Sequence, residues 1–311
     1  MEFLQSIFVT PFVEIVDSPY FFFEVFFGGL MAGVMYSLVA LGFVLIFKAS
    51  GVFNFSQGVM VLFAALNFVG LLEHGVPIWL AFLITMAIMT ALAFAVERLV
   101  LRHLVNQEPI ILFMATIGLA FFLEGFGETL WGSEIKPLEV GIPNDVWFMG
   151  DAMIQQADVF AAVVAGAMVT VLALFFHYTR VGRALRAVAD DHQAALSIGI
   201  PLNHIWIIVW AVAGVVALVA GILWGSKLGV QFSLSVIALK ALPVLILGGF
   251  TSIPGAIIGG LIIGAGEKVA EVYWGSVFGG AIEEWFAYIV ALVFLFFRPQ
   301  GLFGDKIIER V

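Results

Sequence analysis

Residues 21–47 read FFFEVFFGGLMAGVMYSLVALGFVLIF, an apolar run that carries one acid. A helix needs about 20 such residues to cross the ~30 Å hydrocarbon core of a bilayer. A span over 22–47 is about 40 Å long at 1.5 Å per residue, so it must tilt, kink near Gly28, Gly29 and Gly33, or begin in the interface. Comparable runs recur at Phe82–Val96, Val159–Phe176 and Trp206–Trp224, and 63% of the 311 residues are hydrophobic against 11% charged. Soluble domains hold roughly 45–50% apolar and about 25% charged residues. No soluble core absorbs this excess. Membrane β-barrels alternate apolar and polar residues in ~10-residue segments, and Val159–Phe176 does not alternate. The expected fold is an all-α, polytopic transmembrane helix bundle.

Working outward from the first run, apolar stretches and loop signals place spans near 22–47, 55–72, 76–96, 110–130, 158–177, 204–225, 235–248, 255–272 and 283–298. This gives eight or nine membrane segments in a single transmembrane domain, 1–311. The last pair before 283 is joined by Gly248-Gly249-Phe250-Thr251-Ser252-Ile253-Pro254-Gly255; a re-entrant helix pair over 235–272 is the alternative to two crossings. Residues 1–19 carry Glu2, Glu14 and Asp17 but no Lys or Arg, the wrong charge for the start of a cleaved signal peptide, so the first helix is expected to be retained.

Lys and Arg gather on cytoplasmic ends of spans. Nine of the thirteen fall at Lys48; Arg98 and Arg102; Arg180, Arg183 and Arg186; and Arg298, Lys306 and Arg310. The outer loop 132–157 holds one Lys and the acids Glu134, Glu139, Asp145 and Asp151, with Glu128 just before it. The C-terminus is therefore expected in the cytoplasm, with an odd number of crossings. The net charge of −9 comes from acidic loops, and nothing resembles a nucleic-acid-binding surface. The chain has no cysteine, which excludes disulfides, thiolate metal sites and cysteine nucleophiles. The five histidines lack metal-like spacing, so no metal site is expected.

A cytoplasmic loop, 178–203, is the most informative segment. Arg180 to Pro201 reads as one short surface helix, with Leu185, Val188, Ala195 and Leu196 on one face, Gly199 as left-handed cap and Pro201 blocking continuation. Arg183 and Arg186 oppose the dipole of its first turn, by roughly 0.3–1 kcal/mol each, so helix stability did not place them there. A topology-fixing connector and a docking surface for a soluble partner are equally compatible with this pattern.

Ionisable groups inside spans cost about 2.5–3.5 kcal/mol at a helix centre, which makes each a functional candidate. Lys240 lies within an apolar run; it suits a substrate carboxylate, a pairing with Glu124, or snorkelling along its aliphatic stem. Glu124 and Glu128, one turn apart, face the same side; they suit a binding partner or a place in the headgroups. Asn54, Ser56 and Gln57 interrupt two apolar stretches and serve either a polar path or the rescue of backbone groups where a helix breaks. Gly255 and Gly259, then Gly260 and Gly264, have the spacing of close helix packing.

Tyr36-Ser37-Leu38-Val39-Ala40-Leu41-Gly42, Asn54-Phe55-Ser56-Gln57-Gly58, Gly182-Arg183 through Gly199-Ile200, and Leu247-Gly248-Gly249 through Ser252-Ile253-Pro254-Gly255-Ala256 follow one another as in the branched-chain amino-acid ABC transporter permeases. The resemblance runs from about residue 25 to 304, and the length and the Asn-Phe-x-x-Gly segment resemble the LivH-type rather than the LivM-type subunit. Within it, Gln193-Ala194-Ala195-Leu196-Ser197-Ile198-Gly199 resembles a loose Glu-Ala-Ala-x-x-x-Gly coupling motif, with Gln193 in place of Glu and Asp190 and Asp191 nearby.

The resemblance implies a multi-pass permease subunit in a bacterial inner membrane. Its partners would be a LivM-like second permease, two ABC ATPase subunits, a periplasmic substrate-binding protein, membrane lipid and a small-molecule substrate. The ATPases would contact Arg183, Arg186, Asp190, Asp191, Gln193, Ala194, Ala195 and Gly199. The nominal substrate is a branched-chain amino acid, with urea, amides or small carboxylates as the alternatives within the family. No cofactor is expected in this chain; ATP and Mg would be bound by the ATPases. Consistently, no Gly-x-x-x-x-Gly-Lys-Ser/Thr occurs, and Gly264-Ala265-Gly266-Glu267-Lys268 is a chance similarity. An ion-gradient transporter or channel predicts inverted repeats, which are not evident. A membrane enzyme predicts a nucleophile–base pair or metal constellation, and none is present.

Overall fold

The computed structural model describes residues 2–51, 53–104, 107–143 and 145–304, so Lys306 and Arg310 lie outside the described residues. Thirteen α-helices are present among them: α1 (Glu2–Phe8), α2 (Thr10–Asp17), α3 (Pro19–Ser50), α4 (Gln57–Glu73), α5 (Ile78–Leu99), α6 (Pro109–Trp131), α7 (Gln156–Tyr178), α8 (Arg180–Asp190), α9 (His192–Ser197), α10 (Leu202–Leu228), α11 (Ser233–Gly248), α12 (Ile253–Phe278) and α13 (Ile282–Phe297). Each of the nine apolar runs corresponds to one of α3–α7 and α10–α13. The chain is a multi-pass helical membrane protein. Six helices (α3, α5, α6, α7, α10 and α12) are long and apolar enough to cross a membrane. The 16 residues of α11 make it about 24 Å long.

The chain divides into two compact units, one of residues 1–37, 142–166 and 240–311, the other of 38–141 and 167–239. In the second unit α4 is the innermost element: Gln57 to Gly70 are buried without interruption. A helix apolar on all sides belongs inside a bundle, and α4 is packed by α5, α6 and α10. Small residues set these distances. A β-carbon on Gly221 of α10 would fall 2.7 Å from the Val61 carbonyl oxygen, and one on Gly214 3.1 Å from the Met89 Cβ.

In the first unit, α12 and α13 form an antiparallel pair whose turn is held by a side chain. Gly279 and Gly280 adopt positive φ, and Glu271 accepts the N–H groups of Ala281 (3.2 Å) and Glu283 (3.0 Å). These are donors at the start of α13 that have no partner within it. At the other end of α12, the Ser252 hydroxyl accepts the Gly255 N–H (3.0 Å) and Pro254 occupies the first turn, a favoured helix start. The segment after α13 folds back, with Leu302 and Phe303 donating to the carbonyls of Leu247 (2.8 Å) and Gly248 (3.1 Å) at the end of α11.

The region 132–157 departs from the all-helical expectation. Strand β1 (Val146–Met149) pairs antiparallel with β2 (Ala152–Gln155) through a Gly150-Asp151 turn with Gly150 at φ 66°, the first-position glycine favoured in a two-residue hairpin loop.

Candidate functional site

The polar break between α3 and α4 is built from its own sequence. Asn54 is fully buried, and its Oδ1 accepts both the Ser56 N–H (3.1 Å) and the Ser56 hydroxyl (2.6 Å). Such a turn satisfies backbone groups that lipid cannot. The Phe55 N–H donates to the Thr116 hydroxyl of α6 (3.2 Å), and the Ala49 carbonyl near the end of α3 accepts the Trp206 indole N–H (3.0 Å). Gln57 differs from its neighbours. It is also fully buried, yet neither amide atom has a hydrogen-bond partner among the described residues. Its side chain occupies the space that a β-carbon on Gly42 would need, while Gly58 admits the Ser235 carbonyl and Ala238 of α11. The Asn-Phe-Ser-Gln-Gly pattern thus supplies a turn, a buried amide and a close helix approach in five residues.

Within the other unit, α3 and α12 meet backbone to backbone. Gly260 faces Gly33 and Ser37, and Gly264 faces Gly29 and Gly33. On another side of α12, Gly255 meets Gly248 and Gly259 meets the Val244 carbonyl of α11. One glycine set therefore brings α3 close, the other α11. Between these contacts lies a polar cluster. The Glu267 Oε1 of α12 accepts from the Tyr36 hydroxyl of α3 (3.1 Å) and from the Lys240 Nζ of α11 (3.2 Å). The Glu267 side chain is 4% exposed and that of Lys240 24%. Lys240 is thus paired with Glu267 rather than Glu124, which corrects that one of the three sequence readings. Glu267 is not among the residues singled out by sequence; its signal is an acid near the middle of the 26-residue α12. Glu124 is half-buried on α6, one turn before Glu128, and makes no hydrogen bond or ion pair among the described residues.

A cavity of about 380 Å³ lies against α3, α12 and the hairpin, lined by Phe21, Glu24, Met31, Gln155, Asp158 and Lys268 among others. Glu24 accepts the Met153 N–H of the hairpin (2.9 Å).

The loop after α7 is two helices, not one. Asp191 breaks the segment: its backbone is extended, and its Oδ1 accepts the N–H groups of Gln193 (2.8 Å) and Ala194 (3.0 Å), a helix N-cap. Gly199, at φ 84°, ends α9. Its N–H donates to Leu196 and that of Ile200 to Ala195, both at 3.0 Å, which is the Schellman arrangement.

Leu185, Val188 and Ala195 are buried, whereas Leu196 is 52% exposed and Ile198 73%, so Leu196 does not share the inner face that its spacing suggested. Asp190, Gln193, Ala194 and Gly199 are exposed. Arg183 and Arg186 find their explanation in α7: Arg186 donates to the carbonyls of Phe176 (2.8 Å) and His177 (3.4 Å), Arg183 to that of Tyr178 (3.3 Å). They cap the last turn of the preceding helix, whose carbonyls have no intrahelical partner and carry the negative end of its dipole. Gly182 lies against the Phe176 carbonyl, which leaves no lever arm between α7 and α8.

A family described as "Branched-chain amino acid transport system / permease component" matches residues 25–298. The high-affinity branched-chain amino acid transport system permease protein LivH of Salmonella typhimurium is 28% identical over 94% of this chain and 98% of its own length. Its counterpart BraD of Pseudomonas aeruginosa is 29% identical over 94% and 99%. Among solved structures, PsaBC from Streptococcus pneumoniae in complex with Fab shares the fold, with a TM-score of 0.51 at 15% identity, over 93% of this chain and 97% of that one. The match across nearly the whole chain establishes that this protein belongs to the branched-chain amino acid transport permease family.

Proposed function

We propose that the chain is the LivH-type permease subunit of an ATP-driven importer for branched-chain amino acids or a similar small solute. The observation that carries the ATP-coupling part is the loop 179–200. It combines an exposed surface (Gln193, Ala194, Leu196, Ile198) with an anchored base (Leu185, Val188, Ala195 and the arginine caps on α7). Two exposed apolar side chains on a capped, six-residue helix are what a soluble partner's groove would cover. A push on α9 would travel into α7 through Gly182 and into α10 through the buried face.

In this reading the arginine-rich loop and the C-terminus are cytoplasmic, and the acidic loop 132–157 with its hairpin meets an external substrate-binding protein. A LivM-like second permease completes the path, and two ATPases bind ATP and Mg. The LivH and BraD relatives support the substrate assignment. Gln57 and Asn54 lie at the helix break, and Lys240 within the spans, where a polar path would run; Glu124 and Glu128 would then lie toward the external face.

The test is to replace exposed residues whose loss leaves the fold intact, Ala194→Arg and Leu196→Glu, and to measure co-purification with the partner ATPases and ATP-driven leucine uptake in proteoliposomes. Both should fall while membrane insertion is unchanged. Retained ATPase binding and uptake would reject the coupling surface. Uptake that follows an ion gradient without ATPases would reassign the chain to the secondary transporters.

A further inference from the structure

We infer that Tyr36, Lys240 and Glu267 form a binding subsite for a zwitterion, a small molecule bearing one ammonium and one carboxylate group close together. This rests on the importer reading above and adds to it a place on this chain where the solute is held.

A buried ion pair is a poor clamp, because desolvation offsets the attraction, and an apolar pair of similar volume often packs as well or better. Between membrane helices the close approach is already supplied by Gly29, Gly33, Gly260 and Gly264, which is how packing in lipid is usually achieved. Charges retained at this depth call for another use.

The hydrogen-bond inventory of the cluster is incomplete on both signs. Glu267 Oε1 receives two donors, while Glu267 Oε2 is buried with no partner among the described residues. The Lys240 ammonium has three N–H donors and gives one, to Glu267. The pair therefore keeps an unsatisfied, enclosed acceptor and, on the partly exposed lysine, unused donors next to each other on a locally neutral base, with Tyr36 holding the shared oxygen. The opening is at the lysine, whose side chain is partly exposed while that of Glu267 is 4% exposed.

The complementary ligand presents an ammonium to the carboxylate and a carboxylate to the ammonium, with net charge zero. Cluster and ligand together then bury no uncompensated charge. A ligand with a single charge leaves that charge uncompensated, and an uncharged sugar leaves Glu267 Oε2 and the remaining lysine donors without a charged partner. An α-amino acid meets both requirements whatever its side chain, so the subsite reads the backbone of the solute.

The experiment uses the complete transporter, with both permeases and both ATPases. Uptake of labelled leucine into proteoliposomes is measured with ATP and the binding protein present. Leucine binding to the purified complex without the binding protein is measured in parallel, in competition with 4-methylpentanoate (carboxylate only), 3-methylbutylamine (amine only) and fructose. The informative variant is Lys240→Met with Glu267→Met, which removes both charges at once and should assemble normally. The expected result is a fall of about tenfold or more in leucine binding and uptake, with unchanged ATPase co-purification and no competition by the three analogues in the wild type. Uptake by the double variant within about twofold of wild type would overturn the inference, since a mere clamp tolerates that exchange, and would leave the importer reading standing. If the double variant fails to assemble, the wild-type competition decides, and an analogue competing as well as leucine overturns it. Failure of the wild type itself to import leucine would remove the importer reading and this inference with it.

Discussion

Replacing Gly264 by alanine tests the backbone-to-backbone contact between α3 and α12. A β-carbon there would fall 2.5 Å from both the Gly29 carbonyl oxygen and the Gly33 Cα. Both are backbone atoms of α3, so no side-chain rotation relieves the overlap. To reach an ordinary contact of 3.4–4 Å, the helices must part locally by about 1 Å. A gap of 0.5–1 Å forfeits a quarter to a half of each dispersion contact along the seam, and overpacking of this kind costs about 1–3 kcal/mol. At about 2–4 °C per kcal/mol for domains of 150–250 residues, the apparent Tm falls by roughly 2–12 °C.

The same displacement stretches the 3.1 Å Tyr36–Glu267 bond beyond hydrogen-bond range, since Glu267 lies three residues further along α12. The assay is thermal unfolding of the detergent-purified complex, with Gly28→Ala as control. Gly28 lies on α3 as well, and a β-carbon there meets nothing within 4 Å. Equal Tm values for Gly264→Ala and Gly28→Ala would refute the glycine-contact account.

Three further outcomes follow from the loop and the break. Asp191→Ala removes the N-cap of α9, worth about 0.5–2 kcal/mol, so hydrogen exchange of amides at 195–198 should accelerate by about 2- to 30-fold with the rest of the chain unaffected; unchanged exchange would mean that the cap is not holding α9. Arg186→Ala should loosen the last turn of α7, seen as faster exchange at 176–179, with Arg186→Lys restoring only part of the protection because an ammonium cannot reproduce the two-carbonyl fork; full restoration by lysine would contradict the geometry. Gln57→Leu removes a buried amide that has no partner, a relief of about 1–3 kcal/mol, so Tm should rise while uptake falls; a lower Tm would show that the amide is satisfied.

Much of the architecture was legible because lipid imposes a length and an apolarity that few residues violate. Every expected span became a helix, and Gly199 and Pro201 ended α9 as their backbone preferences dictate. What escaped the sequence was set by contacts between distant elements. Arg183 and Arg186 looked misplaced within α8 because their partners are the carbonyls at the end of α7, and nothing in a linear pattern reports an orphan carbonyl. The break at Asp191 did have a local signal, an Asp two and three residues before the amides it caps, but the apolar periodicity on both sides hid it. The hairpin has a local signal in Gly150-Asp151 between short apolar runs, but the acids spread over 132–157 give the segment the composition of a loop. At the polar cluster, sequence gave Lys240 but not its partner, since any acid in any span could have met it; only the packing of α11 and α12 selects Glu267.

Nucleotide dependence of transport tests the central claim most directly. Proteoliposomes holding this permease, its second permease and the ATPases should accumulate labelled leucine only when ATP is supplied on the face that carries the 179–200 loop, and the initial rate should fall to background with a non-hydrolysable analogue. Accumulation by this chain without ATPases, or at an equal rate without nucleotide, would contradict the account.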